Sequence, residues 1–246
     1  MGHAGMVHPQ RYRDRGAEGA SADLDASFPI GHDGYWGYRY VAGVLHNFGA
    51  RMSSLHGDMP LMAENRFNKA KESAPMVCGT GLFMEGIGQN PVFYDLALEM
   101  MTRSDSVDLD DWIKAYIERR YGSVDENAYA AWRKLLDFVY VKGTDFVERG
   151  TVLCRPCLKL RGTGPCDSFH IHYDNKILLD AIDSLRKVDC DTEGYRYDVM
   201  DLSRQLLSNY AQKLYGEVAE AFFTKVMAQF DRKTKEFMEL LYEIDR

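Results

Sequence analysis

The sequence predicts an α/β segment followed by an all-α segment, with helix predominating overall. Two short apolar runs, Tyr40-Val41-Ala42-Gly43-Val44-Leu45 and Met76-Val77-Cys78, are separated by a helical stretch. From Pro91 onward, apolar residues recur at helical spacing almost to the last residue. Between the two regimes lies a glycine-rich run with one carboxylate, Gly79-Thr80-Gly81-Leu82-Phe83-Met84-Glu85-Gly86-Ile87-Gly88-Gln89-Asn90-Pro91.

Residues Met1 to Ala26 have only scattered apolar positions and no continuous apolar core of a secretory signal, and read as a disordered tail. Tyr40–Leu45 then reads as a strand that runs out into His46-Asn47-Phe48-Gly49. A helix follows near Asp58-Met59-Pro60, with Asp58 as cap and Leu61, Met62, Phe67 and Ala70 as its apolar positions. Met76–Cys78 is the second strand, passing into a glycine loop at Gly79. Strand, helix, strand at this separation forms a βαβ unit with parallel strands. Both runs are continuously apolar, as in a sheet covered on both faces. The loops carrying His46-Asn47 and Glu85 should therefore leave the same edge of the sheet, where barrel enzymes keep their catalytic groups. The plainer reading of Glu85 is a surface residue in a flexible turn.

Asn90 is expected as the N-cap of the next helix, with Pro91 at its first position, where a missing N–H costs nothing. Phe93, Leu96, Ala97, Met100 and Met101 make its buried face. Asp108 caps a further helix, with Trp112, Tyr116 and Ile117 inward and Gly122 past its end. Ala131, Trp132, Leu135, Leu136, Val139 and Tyr140 mark another, stopped near Gly143. A loop rich in Gly and Cys runs to Asp167, and Asp174 caps a helix carrying Ile177, Leu178, Ala181, Ile182 and Leu185. From Asp198 a long stripe runs through Leu202, Leu206, Tyr210, Leu214 and Val218 to Phe222 and Val226, and Gly216 within it leaves room for a bend or tight helix crossing. Phe237, Leu240 and Leu241 begin the last helix. Tyr195-Arg196-Tyr197-Asp198, with Asp201 and Arg204, is either a recognition patch or a capped helix start with one buried Arg–Asp pair, and the second is the expectation.

Composition narrows the function classes. A 246-residue chain with 46% hydrophobic and 27% charged residues is an ordinary globular protein. Its net charge of −7 lacks the basic surface that a nucleic-acid partner requires. No apolar run is long enough to span a bilayer, and no Asn-x-Ser/Thr acceptor occurs. Cys154, Cys157, Cys166 and Cys190, with His170 and His172, contain one C-x-x-C pair but no second chelating pair. Reduced thiols with no metal and no other cofactor are the expectation, and an odd count of five argues against a closed disulfide framework.

Three segments in order carry a resemblance: Tyr40 to Gly49, Gly79 to Pro91, and Tyr195-Arg196-Tyr197-Asp198-Val199-Met200-Asp201-Leu202-Ser203-Arg204-Gln205. They resemble glycoside hydrolase family 89, the α-N-acetylglucosaminidases, and Arg155-Pro156-Cys157-Leu158 sits where that family has a similar Arg-Pro segment. The likeness runs from about Gly37 to the end of the chain. It implies the C-terminal part of a (β/α)₈ TIM barrel over residues 35–103 and an α-helical domain over 104–246, with 1–34 as a tail unlike the family. It also implies a retaining glycosidase acting on terminal α-linked N-acetylglucosamine of heparan sulfate-type or other glycans, of lysosomal, secreted or periplasmic location. Glu85 matches the family's catalytic nucleophile, and His46 and Asn47 match a loop lining the sugar site. The partner implied is a carbohydrate substrate, with a complementing barrel fragment. The family's acid/base Glu lies on an earlier barrel strand, in a segment absent from these 246 residues. Gly79 to Asn90 also has Leu82-Phe83-Met84 where a familiar member has Met-Ala-Pro. Three other readings stay open: a catalytically inactive truncated product, a helical interaction module, and a different barrel hydrolase using Glu85 as an acid.

Overall fold

The computed structural model describes residues 39–46, 55–65, 67–68, 72, 76–84, 90–141, 152, 158 and 171–245. The first strand, β1 (Tyr40–His46), pairs in parallel with β2 (Val77–Met84), and α1 (Met59–Ala63) lies between them in sequence. The register runs from Tyr40 opposite Val77 to His46 opposite Met84, with one irregularity after Tyr40. The expected βαβ unit is present. As anticipated, Asp58 opens α1, its carboxylate accepting from the Leu61 N–H at 2.9 Å.

Two expectations about the sheet are corrected. Gly79–Met84, expected as loop, forms the last six of the eight residues of the second strand. A parallel ladder bonds backbone to backbone, so glycines weaken a strand without forbidding it when a partner strand is in register. Gly79 stands opposite Val41 and Gly81 opposite Gly43. The sheet is also not covered on both faces among the described residues. Ala42 and Val44 are buried, whereas Val41 is 49% exposed and Cys78 is exposed on the surface.

The rest is helical: α2 (Pro91–Thr102), α3 (Leu109–Tyr121), α4 (Glu126–Phe138), α5 (Asn175–Leu185), α6 (Glu193–Phe223) and α7 (Met227–Ile244). Asp108 and Asp174 cap α3 and α5 through their carboxylates, as the sequence indicated, and Gly122 closes α3 in the left-handed region. Asp125 caps α4 in the same way. Among the described residues no helix is long and apolar enough to cross a membrane.

α6 begins five residues before the expected Asp198, because Thr192 is its cap: the Thr192 hydroxyl accepts from the Tyr195 N–H and donates to the Arg120 carbonyl. Gly194 sits directly on Arg120, where an added Cβ would stand 2.9 Å from the Arg120 carbonyl oxygen. At its other end α6 stops at Phe223, so Val226 lies in a turn and caps α7, which starts well before Phe237. Gly216 makes no tight crossing. Among the described residues no neighbouring atom lies within 4 Å of where its Cβ would be, and the helix continues through it.

One large core joins Ala42 and Val44 of β1 to the inner faces of α1 through α5 and to Leu202 of α6. A second, smaller one packs Ala211, Leu214, Tyr215 and Val218 of α6 against Phe237 of α7. Trp112, Tyr116, Trp132 and Tyr140 are buried, as expected, whereas Tyr210, Phe222 and Val226 of the stripe expected from Asp198 onward are exposed.

Asp198 ties the first core together. Its carboxylate receives Arg120 from two nitrogens at 2.6 and 2.8 Å and the Tyr121 hydroxyl at 2.9 Å, while Trp132 donates to that hydroxyl at 3.0 Å. Two buried Arg–Asp pairs replace the one expected, the second being Arg204 with Asp201 at 2.8 Å. Arg196 instead pairs on the surface with Asp191. Burial pushes both carboxyls above the usual carboxylate range, and the arginines pull against it.

Two substitutions check this account by denaturant unfolding. Asp198→Ala removes one partner of a buried pair and should lose about 3 kcal/mol, the lower end of the usual range because the Arg120 side chain is 24% exposed. Gly216→Ala should gain roughly 0.5–1 kcal/mol, the helix-propensity difference with nothing to clash against.

Candidate active site

His46 closes β1 opposite Met84, which closes β2, so the two parallel strands end at one level. The residues that follow them in sequence are Asn47 and Glu85. Both lie outside the described residues, as do Cys154, Cys157, Cys166 and His170. What the structure describes is the ground from which those two segments depart.

His46 is 5% exposed and held on every side. Its Nδ1 is 2.7 Å from the Tyr94 hydroxyl, and its Nε2 is 3.3 Å from the His56 carbonyl oxygen. The His56 ring stacks on one side at 4.1 Å, and the Phe93 ring stacks at 4.5 Å. Gly57, at φ +138°, lets residues 55–58 lie against Phe93, because a Cβ there would collide with that ring. Burial first, then the nearby His56, hold the His46 imidazole well below its usual pKa, and the His56 carbonyl opposes them. Burial also raises the Tyr94 and Tyr140 phenols, so both remain hydroxyl donors.

Asn90 occupies the cap position before Pro91, yet its side chain makes no bond to the helix it opens. Its Oδ1 accepts instead from the His56 N–H at 3.0 Å and from the Tyr140 hydroxyl at 3.1 Å. Its backbone is left-handed at φ 55° and ψ 42°. Proline disfavours the right-handed helical region for the residue before it, and Asn tolerates the left-handed one at little cost. Asn90-Pro91 thus signals a special backbone as much as a cap. The other members, His56, Tyr94 and Tyr140, carry no signal in the sequence, because nothing local connects positions 46, 56, 90, 94 and 140. The chain Tyr94–His46–His56–Asn90–Tyr140 links the end of β1 to the start of α2 and the end of α4.

Of the candidate metal-ligating cysteines, Cys190 is described, and its thiol donates to the Tyr121 carbonyl at 3.3 Å. His172 Nε2 lies 3.0 Å from the Val139 carbonyl.

Residues 112–246 match the family model for the α-N-acetylglucosaminidase (NAGLU) C-terminal domain, and residues 26–104 match the one for that family's TIM-barrel domain. The chain belongs to the α-N-acetylglucosaminidase family. It is 32% identical to human α-N-acetylglucosaminidase over 204 residues, covering 80% of this chain and 26% of the human protein. A family 89 glycoside hydrolase from Clostridium perfringens, solved with PUGNAc, superposes with a TM-score of 0.72 at 28% identity, over 82% of this chain and 23% of that one. A complex of that bacterium's family 89 enzyme with 2-acetamido-1,2-dideoxynojirimycin gives a TM-score of 0.71 at 29% identity, over 81% of this chain and 23% of that one. The resemblance read from the sequence is correct, and part of a TIM barrel followed by a helical domain is the fold of this family member.

The His46 cluster makes stability depend on pH. The folded ring takes up a proton less readily than the unfolded one, so the unfolded state binds more protons below the usual imidazole pKa of 6.5. Stability is then full above that value and declines as pH falls through it. Thermal melts at pH 7.5 and pH 5 should show a lower midpoint at pH 5, and His46→Gln should flatten the difference.

Proposed function

We propose that this chain carries the nucleophile half of a retaining α-N-acetylglucosaminidase. Glu85 is its nucleophile, and the loop begun by His46 and Asn47 lines the sugar site. The observation that carries this reading is the shared end of the parallel strands, His46 opposite Met84, with Glu85 next in sequence. Family membership supports it, as does the match to a Clostridium perfringens enzyme solved with its substrate GlcNAc-α-1,4-galactose. The substrate class is a terminal α-linked N-acetylglucosaminide of a glycan such as heparan sulfate.

In the chemistry proposed, a Glu85 carboxylate oxygen bonds to the anomeric carbon while the bond from that carbon to the aglycone oxygen breaks. The leaving oxygen takes its proton from a second carboxyl, about 5 Å from the first, which then deprotonates the water that releases the sugar. Asp58 is committed to capping α1 and Glu64 stands at that helix's C-terminal end, so neither is assigned the second role. Further barrel strands would extend the parallel sheet of β1 and β2 and bring that acid with them.

The chain spans 26% of the length of its human relative, and general-acid assistance is typically worth a factor of 10² to 10⁴. Release of aryl alcohol from an aryl α-N-acetylglucosaminide by the chain alone should therefore be slow or undetectable. Adding a separately made segment that bears the remaining barrel strands should raise it, and Glu85→Gln should abolish it. Turnover that persists undiminished in Glu85→Gln would exclude Glu85 as nucleophile. No gain from the added segment, with the segment shown to bind, would favour an interaction module.

A further inference from the structure

We propose that His46 is a positioning residue, working as a neutral ring with its proton on Nε2, and that it does not itself bind the sugar. The positioning role rests on the reading of this sheet end as the sugar site; the ring state does not. A carbonyl oxygen can only accept, so the contact of Nε2 with the His56 carbonyl requires the proton to be on Nε2. The ring is 5% exposed and, among the described residues, no carboxylate pairs with it; a buried imidazole without a counter-charge keeps one proton, so Nδ1 accepts, and the Tyr94 hydroxyl at 2.7 Å is its donor. Both ring edges are thereby spent inside the protein.

The ring faces are spent too. The His56 ring lies nearly parallel at 4.1 Å and an 8° tilt, and Phe93 stacks at 4.5 Å and 18°. A sugar hydroxyl could reach a ring nitrogen only by displacing Tyr94 or the His56 carbonyl. Beyond His56 the linkage continues: its N–H donates to Asn90 Oδ1, which also receives Tyr140 from the end of α4. Among the described residues, the titratable groups around the ring are His56 and Tyr94 in contact, and Tyr140 through Asn90. Asp58, two residues from His56, has its carboxylate engaged with the Leu61 N–H. The ring is a spacer of fixed polarity. It holds residues 55–58 and the first turn of α2 against the end of β1, from which the segment with Asn47 departs.

The test uses the full chain with ¹⁵N-labelled histidine. Long-range proton–nitrogen spectra at pH 7.5 and 6.5 should show His46 Nε2 with a pyrrole-like shift and Nδ1 with a pyridine-like shift, unchanged between the two. A proton on Nδ1, or an imidazolium at pH 6.5, would overturn the assignment. Tyr94→Phe keeps both rings and removes only the donor. It should leave the proton on Nε2, move the Nδ1 resonance, and reduce hydrogen-exchange protection of the His56 amide by roughly fivefold to tenfold, the worth of one net hydrogen bond. Unchanged protection would refute positioning. Titration with N-acetylglucosamine separates the two readings. Binding seen elsewhere in the spectrum, with the His46 nitrogens still, supports positioning, and a large Nε2 shift refutes it. Absence of any binding counts against the sugar-site reading, while the sugar-free spectra still decide the ring state.

Discussion

The side-chain carbonyl of Asn90 is the point on which the sheet end depends. It is fully buried and receives two donors from different parts of the chain, the His56 N–H and the Tyr140 hydroxyl. A buried acceptor with both partners fixes position far more sharply than apolar contact does, because leaving either donor unpaired in a dry interior costs about 1–3 kcal/mol. Through His56 the constraint reaches the His46 ring, and through Tyr140 it reaches the helical part. The end of β1 is thus registered against helices that lie far away in sequence, with Tyr140 standing 50 residues beyond Asn90. Enzymes that shape a transition state by position need this kind of second layer, with rotamers locked by packing and hydrogen bonds.

A second buried knot does comparable work deeper in the helices. Asp198 gathers Arg120 and Tyr121 of α3 and, through Tyr121, Trp132 of α4, while Thr192 and Gly194 set the start of α6 on Arg120. Such charge pairs contribute little net stability over an apolar replacement, but breaking one leaves an uncompensated charge. They therefore act here mainly by fixing how α6 lies on α3 and α4. The Tyr-Arg-Tyr-Asp segment, one of the three that carry the family resemblance, is a structural joint in this respect.

Local chemistry is readable from the sequence where a feature closes within one turn. Asp58, Asp108 and Asp174 cap their helices because a carboxylate needs only the N–H groups two or three residues ahead. The parallel strand pair follows from apolar runs and spacing. Features that close over long separations are not readable. Gly79–Met84 reads as loop until β1 is known to lie beside it, and Asp198 finds Arg120 across 78 residues, with no periodic signal to announce it. For the candidate site, His46 is legible in the sequence, whereas the partners that determine its state come from residues 55–58, α2 and the end of α4. Glu85 and Asn47 rest on the family resemblance and on their place after the two strands.

The nucleophilic role proposed for Glu85, the residue that follows β2 in sequence, is open to direct chemical trapping. Its most direct measurement uses 2,4-dinitrophenyl α-N-acetylglucosaminide, whose leaving group departs without a proton and so removes the need for the second carboxyl. Peptide mass spectrometry after brief incubation should find one N-acetylglucosaminyl group esterified to the peptide containing Glu85, and none in Glu85→Gln. An adduct on a different carboxylate, or an unmodified Glu85 peptide under conditions where dinitrophenolate is released, would contradict the account.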